Sequence, residues 1–276
     1  MTKPGKPSYT EAKAYHQICL SSFLLKTLER LVDRHIRDDV FGKNPLHINQ
    51  HAYQSGKSTD TALNAVVSTT EKVLQTQEIA IGAFLDIEGA FNNTSIEAII
   101  SALLRHGVPP LFERWIASML SNRCIISSFM WETMQVARVR GCPQGGNLLP
   151  LLWNLTKDKF LRDLNKAGYY YSIGFADDIA IIIRGKFPRP VSEVLQNVLK
   201  RLENWCNRTR FSLNPNKMSI VPFTSIKYKG PIKELFLFGS RIQLLTKFKY
   251  LELILDKGLN WKQHVQHTVT IAHRVF

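Results

Sequence analysis

Asp177 and Asp178 stand side by side in Gly174-Phe175-Ala176-Asp177-Asp178, between two apolar runs, Tyr169 to Ile173 and Ile179 to Ile183. Runs of that length, rich in β-branched and aromatic residues, predict strands, and the Gly-to-Asp punctuation predicts a tight hairpin. The two carboxylates therefore sit at its tip. Successive strand residues point to opposite faces, so both cannot be buried on one side. An Asp-Asp pair is by itself an ordinary solvated turn, and chemistry requires a third carboxylate from elsewhere. Asp86 is the candidate. It ends the apolar run Ile79 to Leu85, which is too short for a membrane span and suited to a buried central strand. A carboxylate there is costly unless it is paired, hydrogen-bonded or holding a metal. If the two strands are neighbours, Asp86, Asp177 and Asp178 form an oxygen-rich cluster. Such hard ligands suit magnesium or manganese, and two ions about 4 Å apart can clamp an in-line phosphoryl transfer.

Four stretches in order carry a resemblance: Ala83-Phe84-Leu85-Asp86-Ile87-Glu88-Gly89-Ala90-Phe91, Arg140-Gly141-Cys142-Pro143-Gln144-Gly145-Gly146, Phe175-Ala176-Asp177-Asp178 and Leu213-Asn214-Pro215-Asn216-Lys217. Together they resemble the palm motifs of reverse transcriptases, and of these the jockey-type enzymes of non-LTR retrotransposons. The resemblance runs from about Tyr15 to Trp261. It implies an α+β fold: fingers and palm of a polymerase right hand, a central antiparallel palm sheet backed by helices, and a missing or truncated thumb. It also implies two Mg2+ or Mn2+ ions, an RNA template, a DNA primer and deoxynucleoside triphosphates. Asp86 and Asp177 become the principal metal ligands, with Asp178 assisting or structural. Phe91 becomes the aromatic residue that blocks a 2′-hydroxyl. Gln144 and Gly145 belong to the loop lining the nucleotide pocket, and Lys57 is a candidate triphosphate contact. Lys217 is a candidate proton donor to the leaving pyrophosphate. Each has a plainer reading beside it: core for Phe91, a strand-to-helix connection for the glycine loop, and solvated lysines at 57 and 217.

The composition agrees with a polyanionic partner. Lys plus Arg exceed Asp plus Glu by 36 − 22 = 14 in 276 residues, without a single polybasic tail, which suggests charge spread along a surface. Four isolated cysteines form no Cys-x-x-Cys pair, which argues against a zinc site or a disulfide framework and fits a reducing compartment. The N-terminus has no apolar core for a signal peptide, and no run approaches the roughly 20 residues of a membrane helix. The expectation is a soluble intracellular protein, nuclear if it works as a retrotransposon enzyme. Gly56-Lys57-Ser58 lacks the earlier glycine and the leading strand of a P-loop, so that reading is rejected.

The elements that must position these groups follow from periodicity. An apolar stripe of Phe23, Leu24, Leu28, Leu31, Val32 and Ile36 predicts a helix over 22–37 with basic neighbours. Asp60 to Leu74 predicts another, capped by Ser58 or Thr59. Thr94 and Glu97 form a capping box for a helix stopped by Gly107, and a second amphipathic helix follows. Cys124 to Phe129 and Met134 to Val139 alternate as a hairpin. Helices are expected over 148–165 and 190–210, a strand over 218–223, and short strands over 234–238, 241–245 and 248–255. Asn260 is expected to cap a terminal helix. The implied division is a fingers region over 1–78, a palm with interleaved fingers elements over 79–223, a primer-grip-like region over 224–260, and the start of a thumb or connecting helix over 261–276.

Three departures from the family pattern stand out. His16-Gln17-Ile18-Cys19-Leu20 replaces Arg-Pro-Ile-Ser-Leu, losing an arginine expected at the triphosphate. Asn147-Leu148-Leu149-Pro150 replaces Val-Leu-Ser-Pro. Glu252 replaces the glycine of Tyr-Leu-Gly-Val-Ile-Leu-Asp, where a side chain brings strain. They make a fragment or decaying copy the expectation. A silent nucleic-acid-binding remnant of the same fold is the alternative. A two-metal nuclease would use the same carboxylates but leave the Pro143-Gln144-Gly145-Gly146 loop without a purpose.

Overall fold

The computed structural model describes residues 8, 10, 20–129, 132–137, 140–142, 145–166, 170–225 and 230–275. In chain order the elements are α1 (Phe23–His35), a π-helical turn (Ile36–Val40), α2 (Phe41–Lys43), α3 (Thr59–Gln75), β1 (Ile79–Glu88), α4 (Ala90–Asn93), α5 (Ile96–His106) and α6 (Pro110–Ser121). Then come β2 (Cys124–Phe129), β3 (Glu132–Ala137), α7 (Leu149–Asn165), β4 (Tyr170–Phe175), β5 (Asp178–Gly185), α8 (Pro188–Thr209), β6 (Ser212–Leu213), a 3-10 turn (Pro215–Lys217) and β7 (Ser219–Phe223). The chain continues through β8 (Leu235–Leu237), β9 (Ser240–Ile242), β10 (Lys247–Tyr250), β11 (Leu253–Asp256) and α9 (Lys262–Val275). Two compact units interleave in sequence: residues 1–46 with 89–156, and residues 47–88 with 157–276. The sequence divisions at 78/79, 223/224 and 260/261 all fall inside the second unit. Among the described residues no helix is long and apolar enough to cross a membrane.

The first unit gathers α1, α2, α4, α5, α6, the β2–β3 hairpin and the start of α7. Its core joins Val32, Ile36 and Val40 to Ile99, Leu103, Ile116, Leu120, Leu148 and Leu152. The expected stripe on α1 is corrected here. Phe23, Leu24 and Leu31 are exposed by 86%, 69% and 60%, and Glu29 and Val32 are the helix's buried residues. Only the C-terminal part of the stripe meets a core, because a helical period says which residues share a face and not what covers it. Glu29 is accommodated by Asn147, whose backbone N–H donates to its Oε2 at 2.6 Å. The Asn147 side chain in turn donates to the Lys26 carbonyl at 2.9 Å. A valine at 147 lacks that second bond, so this departure has a local structural use. The α5 cap is Ser95, whose hydroxyl accepts from Ala98 N–H, rather than Thr94. Gly107 ends the helix in the left-handed region as expected.

The second unit is organised around β1. In order β4-β5-β1-β6, with β7 also on β1, the sheet is antiparallel throughout. β1 reads as a continuous apolar run because both of its faces are covered. Phe84, Ala180 and Ile182 share one cluster with Ala62, Val66 and Val73 of α3 and with Tyr250 and Leu255. Ile81, Ile181 and Ile183 alternate to the other face, and α8 packs against β1 and β5. Ser58 caps α3, with a reciprocal bond to Thr61.

Two expectations near the C-terminus change. The strand predicted over 248–255 breaks into the β10–β11 hairpin, turning at Leu251 and Glu252 with φ of 44° and 69°. Two positive φ values are those of a type I′ two-residue hairpin turn. Asn260 does not cap α9; Trp261, at φ 60°, precedes the helix, and its carbonyl accepts from Val265 N–H. The family glycine at position 252 is thus explained by backbone geometry. Glu252→Gly is expected to stabilise the chain by about 1 kcal/mol, since a non-glycine residue in the left-handed region costs about that much. The ion pair it gives up, Lys249 Nζ to Glu252 Oε2 at 2.5 Å, is exposed on the glutamate side and contributes little. Thermal unfolding followed by circular dichroism should show a rise of roughly 2–4 °C, and a fall would overturn the strain reading.

Candidate active site

The β4–β5 turn has two residues, Ala176 and Asp177, with Ala176 in the left-handed region at φ 48°. Asp178 is therefore the first residue of β5 and not part of the loop. The β1–β5 register places Asp86 directly opposite Asp178, so these two carboxylates share one face of the sheet. It is the face that carries Phe84, opposite Ala180, and Tyr250 beyond it. Asp177, one residue earlier, is held by a bond from Ile87 N–H to its carbonyl at 3.2 Å. Both ends of the cross-strand pair are thus tied through backbone. Lys217, on the turn after β6, brings its Nζ to 3.6 Å from Asp86 Oδ2, with both side chains partly exposed.

The electrostatics are those of crowded acids. Burial, then the negative charges of Asp177 and Asp86, push the Asp178 carboxyl up to about 7, against the attraction of Lys157. Burial also raises Asp177, helped by Asp86 and opposed by its own backbone N–H, Lys157 and Lys217. Acids raised in this way are stabilised by any cation that joins them. The donors are all carboxylate oxygens, which matches a hard divalent ion in type. Among the described residues, however, no group of three or more His, Cys, Asp or Glu side chains stands arranged to hold an ion, and the cation paired with Asp86 is Lys217. The donor chemistry fits such an ion.

The group that sequence reasoning overlooked is Lys157. It is fully buried, and its Nζ donates to the Ala176 carbonyl at 2.6 Å. Gly174 makes room for it: a Cβ there would stand 3.1 Å from Nζ and 3.2 Å from Cε. Burial lowers its pKa to about 7, although Asp177 and Asp178 hold it up. A signal was available, since Lys157 interrupts the stripe Phe160, Leu161 and Leu164 at positions i+3, i+4 and i+7, all buried.

Lys57 is held by backbone carbonyls of its own segment. Its ammonium donates to the carbonyls of Ile48 and of Gln50, the latter at 2.8 Å. It thereby braces the segment that runs alongside β4, where Gly174 N–H donates to Asn49 O at 2.9 Å and His51 N–H to Gly174 O at 2.8 Å. Phe91 and Gly145 lie in the first unit. Phe91 is half-buried, with its ring edge-on to Trp153 at 5.8 Å. Its carbonyl accepts from Cys142 N–H at 2.8 Å, which ties the entry of the glycine loop to α4. Gly145 is exposed with φ 104°, a conformation that requires glycine. Gln144, Pro143 and positions 16–19 lie outside the described residues.

Comparison with known proteins supplies a family. Residues 2–234 match the family described as reverse transcriptase (RNA-dependent DNA polymerase). The chain is 26% identical over 277 residues to the probable RNA-directed DNA polymerase from transposon BS of Drosophila melanogaster, covering 96% of this chain and 30% of that protein. It is 25% identical over 278 residues to the RNA-directed DNA polymerase from mobile element jockey of Drosophila funebris, covering 95% and 29%. The chain thus spans less than a third of the length of these curated relatives. Among solved structures it resembles apo telomerase from Candida tropicalis truncated from its C-terminal domain, with a TM-score of 0.56 at 9% identity over 84% of this chain and 43% of that one. A second apo telomerase structure from the same organism gives 0.54 at 11% identity, over 85% and 39%. At such identities the likeness is one of fold, and it agrees with the α+β polymerase right hand.

Proposed function

This chain belongs to the reverse transcriptase (RNA-dependent DNA polymerase) family, and we propose that its second unit carries the acidic centre of template-directed DNA synthesis on RNA. The observation that supports this reading most is the register of Asp86 against Asp178 beside Asp177. Asp86 and Asp177 act as principal metal donors and Asp178 assists. Two divalent cations, magnesium or manganese, would acidify the primer 3′-hydroxyl and offset charge on the leaving pyrophosphate. Lys217, half-exposed next to Asp86, donates a proton to the leaving group. Partners are an RNA template, a DNA primer and deoxynucleoside triphosphates, and the place of work is the nucleus. Sequence is read by base pairing, so the net charge of +14 serves backbone contact that weakens steeply with salt.

The test is extension of a labelled DNA primer on an RNA template by the purified chain, wild type beside Asp177→Asn. Equal incorporation by both would sink the polymerase assignment, and cleavage of labelled nucleic acid without deoxynucleotides would favour a nuclease. Phe91 is proposed as the residue that selects against a 2′-hydroxyl. Phe91→Ala should raise the ribonucleotide-to-deoxynucleotide ratio of kcat/KM by about tenfold, and an unchanged ratio removes Phe91 from that role.

A further inference from the structure

Lys157 is the one fully buried lysine among the described residues, and a buried ammonium is costly unless opposite charge or hydrogen bonds compensate it. The compensation comes from the acidic turn. The side chain leaves α7 beside Leu161, passes the missing side chain of Gly174, and ends on the carbonyl of Ala176 at 2.6 Å. That carbonyl belongs to the peptide joining Ala176 to Asp177. The ammonium therefore sits directly beneath the turn, within electrostatic reach of Asp177 and Asp178. Lys217 approaches the cluster from Asp86, half-exposed and able to move away. Lys157 is enclosed, so its amino group stays wherever the turn is.

We propose that Lys157 is a built-in counter-cation that neutralises part of the charge of Asp177 and Asp178 and so weakens divalent-metal binding by the acidic cluster. The inference rests on the two-ion reading above and concerns this chain's own tuning of it. While protonated, an ammonium held in a poorly screened interior repels an incoming dication, and removing it strengthens the dication's attraction to the same carboxylates.

The experiment measures Mn2+ affinity of the full chain from the electron paramagnetic resonance signal of unbound Mn2+, with melting temperature as a second readout. Lys157→Met, which keeps the volume and loses the charge, should tighten Mn2+ binding by about tenfold or more. Lys157→Gln, neutral but still polar, serves as a second variant and should also tighten it. Asp177→Asn should lose Mn2+ binding with either residue at position 157. Unchanged or weaker Mn2+ affinity in both Lys157 variants, alongside loss in Asp177→Asn, overturns the counter-cation role alone. A lower melting temperature with unchanged affinity means a purely structural lysine and overturns it too. Wild-type affinity in Asp177→Asn fails the two-ion reading and takes this inference with it.

Discussion

Asp177→Asn should reduce primer extension by at least about a hundredfold, while Asp178→Asn should make the metal-free chain melt at a higher temperature than the wild type at pH 8. The first effect follows from the proposed role of Asp177 as a metal donor, since the substitution removes one charged oxygen from the cluster. The second follows from proton linkage. The Asp178 carboxyl titrates at about 7 in the folded chain and near pH 4 in the unfolded one. Its stabilising contribution is therefore complete below about pH 4 and is lost as pH rises through about 7. An amide has no proton to lose and avoids that penalty, which is on the order of a few kcal/mol. Melting curves in EDTA from pH 4 to 9 should show the variant's advantage growing up to pH 7 and then levelling. An advantage constant across that range would mean that the carboxylate is not under electrostatic stress. Acids kept at a cost to stability mark function more than architecture.

Phe84→Ala is expected to cost about 3–5 kcal/mol, the range for emptying a buried aromatic site. The Phe84 ring is 1% exposed and lies 6.5 Å from Phe223, 5.1 Å from Phe248 and 5.0 Å from Tyr250. One side chain thus joins β1 to β7 and to the β10–β11 hairpin. Melting temperature should fall by roughly 6–20 °C, and Phe84→Leu should fall much less. Because Phe84 is two residues from Asp86 on the same face, Mn2+ affinity should weaken as well at temperatures where the variant is folded. A drop under 2 °C would mean that the hairpin closes over the gap and that the ring cluster is not what holds it.

The sequence by itself determined the parts whose signals are local. Short continuous apolar runs predicted the strands carrying Asp86 and Asp178, period-3.6 stripes predicted most helices, and four ordered motifs predicted the family. Even the strain at Glu252 was legible, because a glycine expected at one position is a statement about one residue's φ. Tertiary structure decided whatever depends on what lies across a gap. The Asp86–Asp178 register is a pairing of residues 92 positions apart, set by the fit of whole strands, and no local pattern specifies it. The exposed stripe on α1 was misjudged for the same reason, since a helix does not encode what covers it. Ser95 displaced Thr94 as a cap by a single residue, within the play of local capping chemistry. The stripe on α7 marks Lys157 as a lysine on a buried face, but its meaning depends on a missing methyl group at Gly174 and a carbonyl at Ala176, which only folding brings to its side.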